Sequence, residues 1–243
     1  MKALIAKEIR SFFSSITGYL VILVYLLINS FVLWLFPGSF NILDGGYATI
    51  GKLFALSPWV FLFLVPAISM RMFADEKKAG TLEILLTKPL SDWQIVLAKF
   101  VAAILLLTLS ILPTIVYYFS IYQLGNPVGN IDSGATFGSY FGLLFLGAGF
   151  MSIGLFASAL TENQIVAFLL GMFLCFFVFH GFDQIAGFEL FGQADLFILK
   201  LGVNEHYISM SRGVIDSRDV LYFLSLMALF LGATRMVLQS RKW

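Results

Sequence analysis

The chain has 243 residues, of which 60% are hydrophobic and 12% charged, with a net charge of +1 at pH 7. An average soluble domain is about 25% charged, so a water-soluble fold of this size would lack polar surface. The near-neutral charge excludes a nucleic-acid footprint. The one cysteine, Cys175, lies in an apolar run and excludes a disulfide framework.

Residues 2–13 place Leu4, Ile5, Ile9, Phe12 and Phe13 on one helical face, with Lys7 and Arg10 away from it. That pattern predicts an amphipathic helix lying in a membrane interface. The alternative is a cationic flank of the span that follows. The charges up to Arg10 and the length of the next apolar run do not fit a signal peptide.

Crossing a bilayer by helix takes about 20 mostly apolar residues. Six segments qualify: 16–36, 53–70, 100–122, 135–160, 165–182 and 220–238. Backbone groups in lipid must bond within their own segment, so all six are expected to be helices. Pro66 and Pro113 are expected to kink the second and third. The fourth carries Gly138, Gly142, Gly147, Gly149 and Gly154, a spacing that lets helices approach closely. With the N-terminus cytoplasmic, the inner side holds Lys2, Lys7, Arg10, Arg71, Lys77, Lys78, Lys88, Lys99, Arg235, Arg241 and Lys242. The outer side holds Lys52, Lys200, Arg212 and Arg218. This positive-inside bias puts both termini in the cytoplasm. The reading is an all-α polytopic membrane protein forming one domain over residues 1–243.

Residues 75–89 fall between the second and third spans, on the cytosolic side. Leu82, Leu85 and Leu86 form an apolar stripe, Gly80 permits a turn, and Pro89 ends the short helix. Ser91 and Gln94 have capping-box spacing, with Leu90 and Ile95 placed as a hydrophobic staple, so the third helix should start at Ser91. Thr161 and Gln164 have the same spacing in the tiny loop before the fifth span. The outer stretch 183–219 is acidic, and its LFILKLG portion suggests a short interfacial helix.

Other chemistry finds little footing. Gly46–Lys52 imitates a phosphate-binding loop, but Leu53 stands where the magnesium-binding hydroxyl belongs, and no strand precedes it. His180 and His206 lie outside any metalloprotease motif, and Glu205–His206 reads as a solvated pair. Ser152 and Ser158 share their span with no histidine, so an intramembrane protease or acyltransferase is a weak alternative. Metal ligands and bound cofactors are not expected in this chain.

The run EKKAGTLEILLTKP resembles the signature E-x-x-x-G-T-L-E-x-L-L-x-x-P of type 2 ABC-transporter permeases, through Glu76, Gly80, Thr81, Leu82, Glu83, Leu85, Leu86 and Pro89. Residues 154–168 and 212–226 are similar to two further stretches of that family, and the likeness is greatest to permeases of gliding-motility transporters. The resemblance implies a six-span subunit of the bacterial inner membrane that pairs with a second permease. Cytosolic ABC ATPase subunits would hold the ATP and Mg. Residues 2–13 would be an elbow helix, and 75–89 a coupling helix docked on the ATPase. There Glu76 and Glu83 would offer carboxylates and the Leu stripe would supply buried area. Thr161, Glu162 and Asn163 would make a second contact. A periplasmic motility partner and surrounding lipid are further expected partners. A structural membrane subunit that moves no cargo is the alternative function.

Overall fold

The structure, a computed structural model, describes residues 1–87, 89–189 and 192–240, and all their side chains except those of Thr17, Leu86 and Gln193. Lys88, Arg241 and Lys242 of the inward cations, and the Leu86 side chain of the expected stripe, lie outside the described residues. Among the described residues every regular element is helical.

Helix α1 is Lys2–Phe13, and α2 is Ile16–Ser30, which runs on into a π-helical turn at Phe31–Leu35. Then come α3, Gly51–Lys78, and the short α4, Thr81–Leu86. Helix α5, Asp92–Ile111, passes through a 3-10 turn at Leu112–Thr114 into α6, Ile115–Leu124. Helix α7 is Ser133–Leu160 and α8 is Gln164–Phe176. A second π-helical turn, Phe177–Gly181, joins α8 to α9, Phe182–Gly187. Helices α10, Gln193–Leu199, and α11, Val203–Ser211, occupy the stretch expected to face outward. The last, α12, is Ser217–Gln239. Six of these rods are long and apolar enough to cross a membrane.

The second span continues two turns beyond Met70, through the charged residues that hydropathy assigns to a loop. The reason is local pairing. Asp75 accepts from the Gln164 side chain, Lys77 donates to the Ala159 carbonyl, and Glu76 meets two lysines. Asp75, Glu76 and Lys77 each find a partner in the protein, so the helix need not end where apolar sequence does. Helix α5 likewise begins eight residues before the apolar run, at its cap. Pro113 breaks its rod at the 3-10 turn, as expected, whereas α3 carries Pro58 and Pro66 within one continuous helix. Of the LFILKLG stretch only Leu196–Leu199 is helical, as the last part of α10, and α11, which follows it, carries no strong sequence pattern.

Helix α7 forms the axis of the bundle, packing against α3, α8, α11 and α12. Its glycines make this possible. A Cβ at Gly142 would sit 2.6 Å from that of Met210, one at Gly138 would strike the Gly213 carbonyl, and one at Gly154 would strike Ser69. Close helix approach in lipid relies on such small residues. These seams are therefore filled by the chain's own helices.

Candidate functional site

The segment expected to couple lies at the end of the bundle where α1, the C-terminus of α3 and the N-terminus of α5 meet. Helix α3 ends at Lys78, and Gly80 turns the chain with φ +66°, a left-handed conformation that glycine adopts without strain. No heavy atom lies within 4 Å of where its Cβ would be, so backbone conformation and not space is what favours glycine here. Helix α4 then runs for six residues. Leu82 is buried at 3% exposure, and Leu85 packs against the same core. Leu82 therefore faces this chain's interior, with Leu85 half-buried beside it. For Leu82 that corrects the expectation that the stripe supplies docking area. The outward face carries Thr81, Glu83 and Ile84, and Ile84 is 60% exposed. Ile84 escaped the sequence reading because it interrupts the stripe; a lone apolar residue off the buried face was the available signal.

Glu76 is corrected too. It belongs to α3, and its carboxylate turns inward at 8% exposure. Its Oε1 lies 2.6 Å from Lys7 Nζ and its Oε2 2.9 Å from Lys99 Nζ. Lys99, fully buried, also donates to Glu8 Oε1 at 2.9 Å and to the Met72 carbonyl at 2.6 Å, and lies 5.1 Å from the Phe73 ring centroid. Lys7 lies 3.5 Å from Glu8. Two ammonium groups and two carboxylates thus form a neutral quartet joining α1, α3 and α5. Lys7, expected to point away from the apolar face, reaches back into this network. Burial pulls its pKa down, but the hydrogen bond and attraction of Glu76, with help from Glu8, outweigh that and leave it raised.

A second joint ties α3 to α7. The Ser158 hydroxyl accepts from the Phe73 and Ala74 backbone N–H groups, each at 3.1 Å, and donates to the Met70 carbonyl at 2.9 Å. Ser158 is a structural clamp on the end of α3.

The turn after α7 emerges at this same end. Its expected Thr161–Gln164 capping box does not form. Asn163 caps α8 instead, accepting from the Ile165 N–H at 2.9 Å. Thr161 Oγ1 accepts from the Asn163 N–H at 3.1 Å, and the Gln164 side chain is drawn to Asp75. A tertiary partner took the glutamine that the local cap required. Glu162 and Asn163 are exposed. By contrast, the Ser91–Gln94 box forms in both directions, at 3.3 Å and 3.0 Å, with Ile95 fully buried and Leu90 against the core. Pro89 is exposed beyond the end of α4.

At the opposite end His206 is no solvated pair. Its Nδ1 lies 2.8 Å from Asp219 and its Nε2 3.0 Å from the Lys200 carbonyl, with the ring stacked on Tyr222. Ser209 donates to the same Asp219, so the serine does not face an imidazole nitrogen as nucleophile activation requires. Tyr207 donates to the Phe54 carbonyl at 2.8 Å, and burial holds its phenol well above its ordinary pKa. These contacts fasten α11 to α3 and α12. Among the described residues no cluster of three metal-ligating side chains occurs.

The exposed residues of α4 and of the 161–163 turn lie at the same end of the bundle. Residues 58–199, more than half of the chain and including α4 and the turn after α7, match the model of the ABC-2 family transporter protein. The chain is similar to the probable multidrug ABC transporter permease YbhR of Escherichia coli strain K12 and to that of Escherichia coli O157:H7, at 32% identity in each case. Those matches cover 54% of this chain and 33% of each relative, so the chain spans about a third of the length of the curated relatives it matches. With its six apolar helices, the chain belongs to the ABC-2 family of transporter membrane subunits.

Proposed function

We propose that the chain is the permease of an ABC exporter, gripped through α4 by a separate ATPase subunit that hydrolyses ATP with Mg. The carrying observation is the outward face of Thr81, Glu83 and Ile84, set on the end of a helix bonded to both α1 and α7. On this reading Ile84 enters an apolar socket and Glu83 meets basic residues, while Glu162 and Asn163 form the second contact. The α4 end is then cytoplasmic, in the inner membrane, and a second permease copy or relative completes the pathway. Movement of α4 pulls on α3, and the ionic quartet and the Ser158 joint pass that movement to α1, α5 and α7.

An apolar or amphipathic cargo fits the cleft of about 200 Å³ beside the Pro113 break, lined by Ile111, Leu112, Ile115, Phe119, Phe137 and Tyr140. The multidrug relatives point in the same direction. A role in gliding motility is the second reading, resting on the likeness of the sequence as a whole to permeases of gliding-motility transporters; a periplasmic partner copurifying with the complex would support it.

The test is purification of the complex from membranes carrying Glu83→Lys or Ile84→Asp. Loss of a central contact at such an interface weakens binding about tenfold or more. Both variants should therefore lose copurifying ATPase and its cargo-stimulated turnover. Unchanged copurification and turnover in both would refute the docking role.

A further inference from the structure

Helix α12 ends beside the start of α5. The Gln239 side chain donates to Asp92 Oδ2 at 3.3 Å, and the Arg235 guanidinium carbon lies 5.2 Å from the centroid of the Trp93 ring. Arg235 stands one turn before the end of a helix long and apolar enough to cross a membrane, Ser217–Gln239. Trp93 and Met236 beside it are exposed. A tryptophan and an arginine at the end of an apolar helix mark the level of the lipid headgroups.

Arg235 is a half-buried cation without an anion. Its Nε is buried with no hydrogen-bond acceptor, and among the described residues the guanidinium makes no ion pair or hydrogen bond. The neighbouring carboxylate, Asp92, accepts from Gln239 and forms no ion pair with Arg235. Contact with one aromatic face offsets only part of the cost of holding an ion at the edge of hydrocarbon. The helix face that leads from Arg235 back toward the middle of the span carries Gly232 and then Ala228. No heavy atom lies within 4 Å of where a Gly232 Cβ would stand. An open apolar lane therefore runs along α12 below the guanidinium.

We propose that this end of α12 binds the phosphodiester of a phospholipid from the adjoining leaflet. The terminal nitrogens of Arg235 donate to two phosphate oxygens, a pairing that the planar guanidinium fork suits. The Trp93 ring holds the guanidinium in place, and one acyl chain lies along Gly232 and Ala228. The lipid supplies the counter-ion that the chain itself does not provide. It also joins α12 to the start of α5, at the end of the bundle that carries α4. A carboxylate of a partner protein would neutralise Arg235 equally, but it would leave the apolar lane below the cation uncovered.

The full-length protein, stripped of lipid in detergent, is titrated with phosphatidylglycerol, with diacylglycerol carrying the same chains, and with inorganic phosphate. Native mass spectrometry reports the first lipid bound, and the lipid-free thermal midpoint checks that each variant is folded. Phosphatidylglycerol should bind about tenfold or more tightly than diacylglycerol, as one charge-assisted hydrogen bond provides. Inorganic phosphate at equal concentration should not displace it. Arg235→Met should lose most of the preference for the phosphate-bearing lipid, and Arg235→Lys, which keeps the charge, should retain part of it. Gly232→Leu, which closes the lane at a position with open space, should weaken both lipids. Equal binding of the two lipids, a preference that survives Arg235→Met, or unaltered binding in Gly232→Leu would each overturn the assignment. Displacement by inorganic phosphate would do the same, leaving an adventitious ion only. Loss of copurifying ATPase in Arg235→Met with the lipid preference intact would make Arg235 a protein contact instead. These variants leave the outward face of α4 untouched, so failure of the lipid site leaves the coupling role standing.

Discussion

Lys99 is a fully buried ammonium in a chain that has few charges to place. It is tolerated because two carboxylates, a carbonyl and an aromatic face surround it. Removing it alone strands Glu8 beside an incompletely neutralised Glu76. Lys99→Met should therefore cost about 3–5 kcal/mol, read as a lower unfolding midpoint in detergent. The double variant Glu8→Gln/Lys99→Met leaves the Lys7–Glu76 pair intact and should recover much of that loss. If the double variant is no more stable than the single one, the quartet is not acting as a neutral unit. The same scale governs the α7 glycines. Gly142→Leu forces a side chain against Met210, and overpacking of this kind costs about 1–3 kcal/mol. Gly187→Ala, with nothing within 4 Å, is the control and should leave the midpoint nearly unchanged.

The two helix starts at the α4 end can be compared as elements. Helix α5 uses the reciprocal box of Ser91 and Gln94, and α8 uses Asn163. Ser91→Ala and Asn163→Ala should each cost about 1 kcal/mol, whereas Thr161→Val, outside the cap of α8, should cost less than Asn163→Ala. Thermal midpoints of the three variants decide it. A Thr161→Val loss equal to that of Asn163→Ala would restore the box that spacing alone suggests. The difference between the two sites is physical. Both have capping-box spacing, but among the described residues nothing competes for Gln94, while Gln164 faces the Asp75 carboxylate across the bundle. A bond to a charged acceptor is stronger than one to a neutral group. The same competition explains α3. Its last turns look like loop by hydropathy, yet they stay helical because partners on α1, α5 and α7 satisfy their charges.

For the whole molecule, the quartet makes stability depend on alkaline pH. Lys7 has its folded pKa raised above 10.5. Its contribution is complete below the unfolded value and is lost as pH rises through the folded one. Stability should therefore not change on account of Lys7 between pH 6 and pH 9, and should begin to fall above pH 10.5. Because Lys7 is half exposed, the effect should be small and should shrink in high salt. Unfolding midpoints of wild type and Lys7→Met across that range test this. A wild-type loss that Lys7→Met reproduces unchanged would assign it to other groups.

Composition and hydropathy determined the class and the six apolar helices, and capping-box spacing determined the Ser91 start. The reason is that lipid imposes backbone pairing and length on each segment separately, and a free cap needs only its own neighbours. The family signature likewise stood in the residues, as the match over 58–199 bears out. What one segment could not reveal was direction. The Leu82 stripe, the Glu76 carboxylate and the Lys7 ammonium have spacings that suit an outer partner and an inner one equally. Tertiary packing decided among them, because the bundle offered an apolar core to Leu82 and opposite charges to Glu76 and Lys7. Glu83 and Ile84 were left outside.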